Sequence, residues 1–317
     1  MLLEAQGTAP LLLLSGTANR PLAEEIAQNM GISLADCTVK RFADGEIFVR
    51  LNENARGRDV FIVQPTTPPA ESIMELLLLI DAAKRASAAR VTAIMPYYGY
   101  ARQDRKDQPR VAIGGKLVAN LIEAAGADKV LGMDFHTHQI QGFFDIPVDH
   151  LYAAPVLTNY FRELGVENPV VVAPDVGAAK MARGFARRLD ASFAIIDKRR
   201  PAANVAGVVQ VVGEVQDRNC IIVDDMIDTA GTLESVVYAL QERGARDIYA
   251  AATHPLLSGP AVERMQNSPV NEVVVANTVF IPEEKRFPKL RILSIAELLA
   301  RAIRYTYSNE SVSSLFD

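Results

Sequence analysis

The chain has 317 residues, 49% hydrophobic and 22% charged, which is enough for two domains with separate cores. Its net charge of -5 argues against broad binding to nucleic acids or anionic membranes, because both need a basic surface. The aliphatic runs Leu11–Leu14 and Leu76–Ile80 are too short to span a membrane, and Cys37 and Cys220 match no metal-ligand spacing. We therefore expect a cytoplasmic protein with reduced thiols, in which any phosphate recognition is local.

Short apolar runs alternate with helical stretches along the whole chain. Strands interleaved with helices predict βαβ units and an α/β fold with mainly parallel sheets, because helices cover both faces of such strands. The predicted strands are Leu11–Leu14, Val60–Val63, Val91–Met95, Val130–Met133, Val170–Ala173, Phe193–Ile196, Ile221–Val223, Ile248–Ala252 and Val273–Ala276.

A strand, a helix and a second strand occur twice along the chain, at an offset of about 160 residues. The two copies are Phe61–Val63, Glu71–Ala89 and Val91–Met95, and then Ile221–Val223, Thr232–Arg243 and Ile248–Thr253. Chance similarity between βα units is the alternative, because all of them share the same periodicity. The repeat predicts two tandem domains, residues 1–150 and 151–307.

The most informative motif is residues 221–232, where a strand ends in two acids and a loop of small and hydroxylic residues leads into a helix. Backbone N–H groups at that helix start can bind a phosphate monoester, and Thr229 and Thr232 add donors. Asp224 and Asp225 can accept hydrogen bonds from vicinal sugar hydroxyls. The alternative is a helix N-cap formed by one of the threonines. The loop resembles the signature of phosphoribosyltransferase-type folds, which leaves both transferase and kinase reactions open.

Two segments in the first half, Arg41–Glu46 and Tyr97–Lys106, carry aromatic and charged side chains suited to a nucleotide. The chain has no G-x-x-x-x-G-K-[ST] loop, so any ATP site is of another type. Adenine needs a stacking partner such as Phe42, and a triphosphate needs guanidinium donors such as that of Arg102. Each segment is also compatible with a solvated turn or an ion-pair patch.

With these segments, the sequence resembles the ribose-phosphate diphosphokinase family of the phosphate-dependent bacterial type. The resemblance covers nearly the whole chain, through Phe42–Glu46, Ile73–Ser87, Pro96–Lys106, Gln139–Asp149, Ile195–Pro201, Val223–Thr232, Thr253–Arg264 and Ser311–Phe316. It implies two phosphoribosyltransferase-type domains, ATP-side and ribose-5-phosphate-binding, with the tail 308–317 packed on the first. The implied reaction moves the β,γ-diphosphate of Mg-ATP to O1 of ribose 5-phosphate, for nucleotide, histidine and tryptophan biosynthesis.

The resemblance also implies the residues of the site. The ATP-binding residues are Phe42, Asp44, Gly45 and Glu46, from a neighbouring subunit, and Arg102, Gln103 and Asp104. The ribose-5-phosphate-binding residues are Arg200, Asp224, Asp225, Asp228, Thr229, Ala230, Gly231 and Thr232. The Mg²⁺ ligands are His136 and Asp175, with Asp134, Asp145 and Asp149 as weaker candidates. A histidine is unusual here, because Mg²⁺ prefers oxygen ligands.

Lys198 and Arg200 match the catalytic lysine and arginine of the family. They follow a predicted strand, and the small, weakly charged stretch Ala202–Val208 after them is typical of a mobile flap. Positioned cations stabilise the dispersed charge of a phosphoryl-transfer transition state. A solvated basic turn is the alternative, but three adjacent cations would repel one another there.

Two segments depart from the family pattern. His138 lies two residues after His136, and Asp107–Gly115 replaces a more basic loop that takes part in regulation. The family implies inorganic phosphate and ADP as effectors and a homohexamer built from dimers. Two alternatives remain from the sequence: a phosphoribosyltransferase, and a silent regulatory relative. Silent relatives typically lose the flap or metal residues, and this chain retains both sets.

Overall fold

The computed structural model describes residues 11–199 and 208–316. These residues form two compact units. The first contains residues 11–152, 278–280 and 295–316, and the second contains the described parts of 153–277 and 281–294. The predicted α/β fold with mainly parallel sheets is confirmed in both units.

The first unit is built on a five-stranded parallel sheet. Its strands in chain order are β1 (Leu11–Ser15), β4 (Asp59–Val63), β5 (Arg90–Met95), β6 (Lys129–Met133) and β7 (Val148–Leu151), and they are neighbours in that order. The strands β2 (Cys37–Arg41) and β3 (Ile47–Leu51) form a separate antiparallel hairpin. Its helices are α1 (Arg20–Met30), α2 (Glu71–Arg85) and α3 (Gly114–Ala125), with a 3₁₀ helix at His138–Phe143. All five residues of β4 are buried, as expected for a strand covered on both faces.

The second unit is built on a seven-stranded sheet. Its strands are β8 (Pro169–Ala173), β9 (Ser192–Arg199), β10 (Val208–Val212), β11 (Asn219–Ile227), β12 (Ile248–Pro255), β13 (Glu272–Ala276) and β14 (Leu290–Leu293). The spatial order is β10-β9-β8-β11-β12-β13-β14, and every neighbouring pair is parallel except β10 with β9. Its helices are α4 (Ala154–Leu164), α5 (Ala179–Leu189), α6 (Gly231–Glu242) and α7 (Ala261–Asn267), with a 3₁₀ helix at Glu283–Lys285.

The last helix, α8 (Ala296–Tyr307), belongs to the first unit. The structure differs here from the predicted second domain of 151–307, because α8 buries its apolar face and packs against α1. Arg304 of α8 donates a hydrogen bond from Nη2 to the carbonyl of Asn29, 2.7 Å away. The tail that follows contains a 3₁₀ helix, Val312–Leu315, and the ring of Phe316 lies edge-on to Tyr152 at 5.4 Å.

No helix in the described part of the chain is long and apolar enough to cross a bilayer.

Candidate active site

Strand β11 extends beyond its neighbour β8 at the carboxyl edge of the second sheet. β8 pairs with β11 only as far as Ile222, whereas β11 continues along β12 to Ile227. Asp224 and Asp225 lie in this extension, and Asp175 follows β8 at the same edge. The topology therefore brings three carboxylates to the edge of a parallel sheet where ligands usually bind.

The acidic pair has an unusual electrostatic state. Burial, and then the adjacent Asp225 carboxyl, raises the pKa of Asp224 to about 8, and the charge of Asp175 adds to the effect. The Asp225 N–H donates to Oδ1 of Asp224 at 2.9 Å. Asp224 is therefore largely protonated at neutral pH, and cationic or hydroxyl partners would stabilise its ionised form.

The carbonyl groups of the loop after the acidic pair are hydrogen-bonded to the segment of residues 257–264. The carbonyls of residues 227–229 accept hydrogen bonds from the Leu257 N–H (3.0 Å), the Ser258 N–H (2.9 Å) and Nη1 of Arg264 (2.9 Å). Because N–H and C=O point in opposite directions across a trans peptide, the N–H groups that follow these carbonyls face away from the 257–264 segment. This arrangement suits an anion at the start of α6.

The start of α6 does not use a threonine cap. Its N-cap is Ala230, in the left-handed conformation at φ 58°, and no side chain among the described residues caps its first turn. The N-cap alternative for Thr229 and Thr232 is therefore wrong. Both threonines are exposed, and a Cβ on Gly231 would lie only 3.0 Å from Nη1 of Arg264.

Arg264, which lies in α7, contacts this loop, and sequence reasoning missed it. Besides holding the Thr229 carbonyl, its Nε lies 3.2 Å from Oε2 of Glu234 in α6. It comes 35 residues after Thr229, and no spacing rule connects the two positions. Only the folding of α7 beside α6 brings the guanidinium to the loop.

In the first unit, the loops that follow β5 and β6 are joined by one carboxylate. Oδ2 of Asp104 accepts hydrogen bonds from Oγ1 of Thr137 at 3.0 Å and from Nε2 of Gln139 at 2.9 Å. The predicted ATP residue Asp104 is thus hydrogen-bonded to two side chains of the segment that follows the predicted metal ligand His136. Gln103 packs close to the start of α3, where a Cβ on Gly114 would lie 2.5 Å from its Oε1.

The predicted adenine-binding residues lie at the tip of the β2–β3 hairpin. Phe42, Asp44, Gly45 and Glu46 are all exposed, and Phe42 keeps 49% of its surface accessible. The tip is closed by a hydrogen bond from the Phe42 N–H to the Glu46 carbonyl, and Gly45 has φ 97°. An exposed aromatic ring on a well-formed turn is suited to contact with another molecule.

The predicted metal ligands lie in different units. His136 is exposed in the first, and the exposed Asp175 in the second accepts the Ala178 N–H on its Oδ1 at 3.0 Å. Across residues 11–199 and 208–316, the structure has no group of three or more metal-ligating side chains. Asp175 supplies the oxygen donor that Mg²⁺ prefers, and Mg²⁺ takes few protein ligands because waters and substrate phosphates complete its shell.

The weaker metal candidates have other environments. Asp149 forms an ion pair with Lys129 at 2.6 Å between neighbouring strands, whereas Asp145 is exposed. Asp134 is buried with φ 38°, and its charge contributes to raising the pKa of Tyr152, after the larger effect of burial.

Of the two predicted catalytic cations, Lys198 lies at the end of β9. The backbone of Lys198 pairs with that of Val209 across the β9–β10 hairpin. The side chain of Lys198, and the whole of Arg200, lie outside the described residues, as do residues 201–207 of the predicted flap.

Two α/β units with mainly parallel sheets, one of which carries an acidic pair and a loop of small and hydroxylic residues at its carboxyl edge, define the phosphoribosyltransferase-type fold class. Residues 11–126 match the family model of the N-terminal domain of ribose phosphate pyrophosphokinase, and residues 198–317 match the phosphoribosyl synthetase-associated domain.

Known proteins narrow the class to one family. Ribose-phosphate pyrophosphokinase of Clostridium tetani is 52% identical over 311 residues, 97% of each chain. That of Bacillus caldolyticus is 53% identical over 308 residues, 97% of this chain and 98% of the other. The crystal structure of phosphoribosylpyrophosphate synthetase from Mycobacterium smegmatis has a TM-score of 0.89 at 45% identity, covering 95% of this chain and 99% of that one. The chain belongs to the ribose-phosphate pyrophosphokinase family and is an enzyme of the diphosphotransferase class, which confirms the resemblance.

Proposed function

We propose that the enzyme transfers the β,γ-diphosphate of Mg-ATP to the O1 hydroxyl of ribose 5-phosphate, giving 5-phosphoribosyl 1-diphosphate and AMP. The observation that carries this proposal is the edge of β11, where two acids precede a loop whose carbonyl groups are turned back. The products would supply nucleotide, histidine and tryptophan biosynthesis, and a cytoplasmic location stays a prediction.

Ribose 5-phosphate would bind along the end of β11. Its phosphate would accept hydrogen bonds from backbone N–H groups of residues 228–232 and from the hydroxyls of Thr229 and Thr232. The sugar hydroxyls would donate to Asp224 and Asp225. The order of the motif supports this orientation of ribose 5-phosphate. The two acids lie in β11, next to the proposed sugar position, and the proposed phosphate-binding loop follows the strand.

ATP would bind at the first unit, with Arg102 and Gln103 on the triphosphate. The Phe42–Glu46 tip of a neighbouring subunit would receive the adenine, an assignment supported by the exposure of Phe42. The same assignment implies an oligomer, and we propose the homohexamer of the family, with inorganic phosphate and ADP as effectors.

In the reaction, O1 of the sugar attacks the β-phosphorus, the bond from that phosphorus to the bridging α,β-oxygen breaks, and AMP leaves. The O1 proton is lost to solvent or a base as the new bond forms. Lys198 and Arg200 would stabilise the negative charge that spreads over the transferring group. Mg²⁺, which His136 and Asp175 would hold, supplies charge neutralisation on the phosphates when bound.

The proposal is tested by AMP release from purified protein given Mg²⁺, ATP and ribose 5-phosphate, with and without inorganic phosphate. We expect AMP only when ribose 5-phosphate is present, and a loss of at least about 100-fold in kcat for Lys198→Ala. Folded protein that releases no AMP under either condition would contradict the proposal.

A further inference from the structure

Asp104 holds together two loops that end neighbouring strands of the first sheet. The loop after β5 carries Arg102 and Gln103, and the loop after β6 carries His136. Both hydrogen bonds that Asp104 accepts come from this second loop, from Thr137 at 3.0 Å and Gln139 at 2.9 Å, and both end on Oδ2.

The opposite side of the His136 loop is also anchored by a side chain. The N–H of Phe135 donates to Nε2 of His150 at 3.1 Å. A Cβ on Gly132 would lie 2.0 Å from the Phe135 ring, so that ring packs directly over the β6 backbone. The residues immediately before and after His136 are therefore both fixed, while the imidazole itself is exposed.

The charge of Asp104 makes it a poor partner for a triphosphate. A carboxylate facing phosphate oxygens is repelled by them, whereas neutral hydroxyl and amide donors stabilise it. Asp104 is half-buried and has two such donors, in contrast to the exposed Arg102 and Gln103 that precede it.

From this geometry we infer that Asp104 is a positioning residue, which sets the His136 loop relative to the Arg102–Gln103 segment and so couples metal binding to nucleotide binding. The inference rests on the proposed function, because it takes His136 as a metal ligand and Arg102 as a nucleotide ligand. It replaces the predicted role of Asp104 as a direct ATP contact.

The test is a double-mutant cycle between Asp104→Ala and Thr137→Val, read by two binding measurements without ribose 5-phosphate. Mn²⁺ binding is followed by EPR, and α,β-methylene-ATP binding in the presence of Mg²⁺ by calorimetry. We expect Asp104→Ala to weaken both by about tenfold and Thr137→Val by about threefold, since each removes hydrogen bonds to a charged group. The double variant should be no weaker than Asp104→Ala, and Thr137→Ser should bind like the wild type.

The matched control is Asp36→Ala, which removes an exposed aspartate from the same unit and should leave both affinities unchanged. If Asp104→Ala weakens nucleotide binding alone, and its effect adds fully to that of Thr137→Val, Asp104 contacts the nucleotide directly and the inference is wrong. Unchanged binding in both single variants would also overturn it. Because neither measurement involves turnover, absence of AMP release from the wild type would count against the proposed function alone.

Discussion

Both units contain a run of parallel strands, β1-β4-β5-β6-β7 in the first and β8-β11-β12-β13-β14 in the second, but the side chains that follow β4 differ from those at the corresponding point of β11. β4 begins at residue 59 and β11 at residue 219, an offset of 160, and β4 is the second of five parallel strands whereas β11 is the third of six. The residue after β4 is Gln64, which is fully buried. At the corresponding point of β11 lie Asp224 and Asp225, where burial and then the adjacent Asp225 carboxyl raise the pKa of Asp224.

The polar groups at the first edge satisfy one another. Gln64 donates from Nε2 to Glu75 at 3.1 Å and to the Ser72 carbonyl at 3.2 Å, and its Oε1 accepts the Ala18 N–H at 3.1 Å. A Cβ on Gly16 would lie 2.2 Å from that Oε1, so there is no space for a ligand there. The space after β4 is thus filled by side chains of the first unit itself, whereas the corresponding point of β11 carries two carboxyl groups.

The largest expected effect concerns the second edge. Asp224→Ala combined with Asp225→Ala should raise the KM for ribose 5-phosphate at least about 100-fold, because two carboxyl acceptors of sugar hydroxyls are lost. Steady-state AMP release measures this. Asp217→Asn, an exposed site at the turn just before β11, should leave KM unchanged. An unchanged KM in the double variant would mean that this edge does not bind the sugar.

The second effect is on stability as a function of pH. The folded protein keeps the Asp224 proton up to about pH 8, whereas the unfolded chain releases it near 3.8. The free energy of unfolding should therefore fall as pH rises between these values, and Asp224→Asn should remove that contribution, gaining up to about 5 kcal/mol at pH 8. Urea denaturation of the wild type and of Asp224→Asn from pH 5 to 9 tests this. If the free energy of unfolding depended on pH in the same way in both proteins, the raised pKa of Asp224 would be contradicted.

The same comparison predicts a purely structural result at the first edge. Gln64→Ala should lower the free energy of unfolding by about 2 kcal/mol, because it leaves the Ala18 N–H without its acceptor and removes one of the donors to the buried Glu75. Thermal unfolding measures the loss. The exposed pair Arg20–Glu24 offers a control, since Glu24→Ala should change stability by less than about 0.5 kcal/mol. Equal losses in the two variants would mean that burial at this edge contributes nothing.

The smallest expected effect concerns Arg264, which donates a hydrogen bond to the loop of residues 227–229. Arg264→Ala should raise the KM for ribose 5-phosphate by about tenfold without abolishing turnover, because the Thr229 carbonyl loses the donor that turns it back. Arg246→Ala, at an arginine of the second unit that is exposed whereas Arg264 is half-buried, should have no effect. A wild-type KM for Arg264→Ala would show that the loop keeps its shape without this contact.

The strands that the sequence predicts are those buried on both faces. All nine predicted strands, from Leu11–Leu14 to Val273–Ala276, lie within strands of the structure, whereas the apolar run Leu76–Ile80 lies in α2. The pattern missed β2, β3, β7, β10 and β14. Each of these is an edge or hairpin strand, and a strand that is partly exposed carries polar residues that interrupt the apolar run.

The same division runs through the site. The acidic pair and its loop are contiguous in the chain, so the sequence alone determined their chemistry and their place at a strand end. Tertiary structure alone decided that Arg264 supports this loop, that Asp104 bonds to the His136 loop, and that α8 packs on the first unit. A local sequence pattern indicates the secondary structure that a residue and its neighbours favour. Contacts between distant segments form only when burial of the apolar strands has brought those segments together.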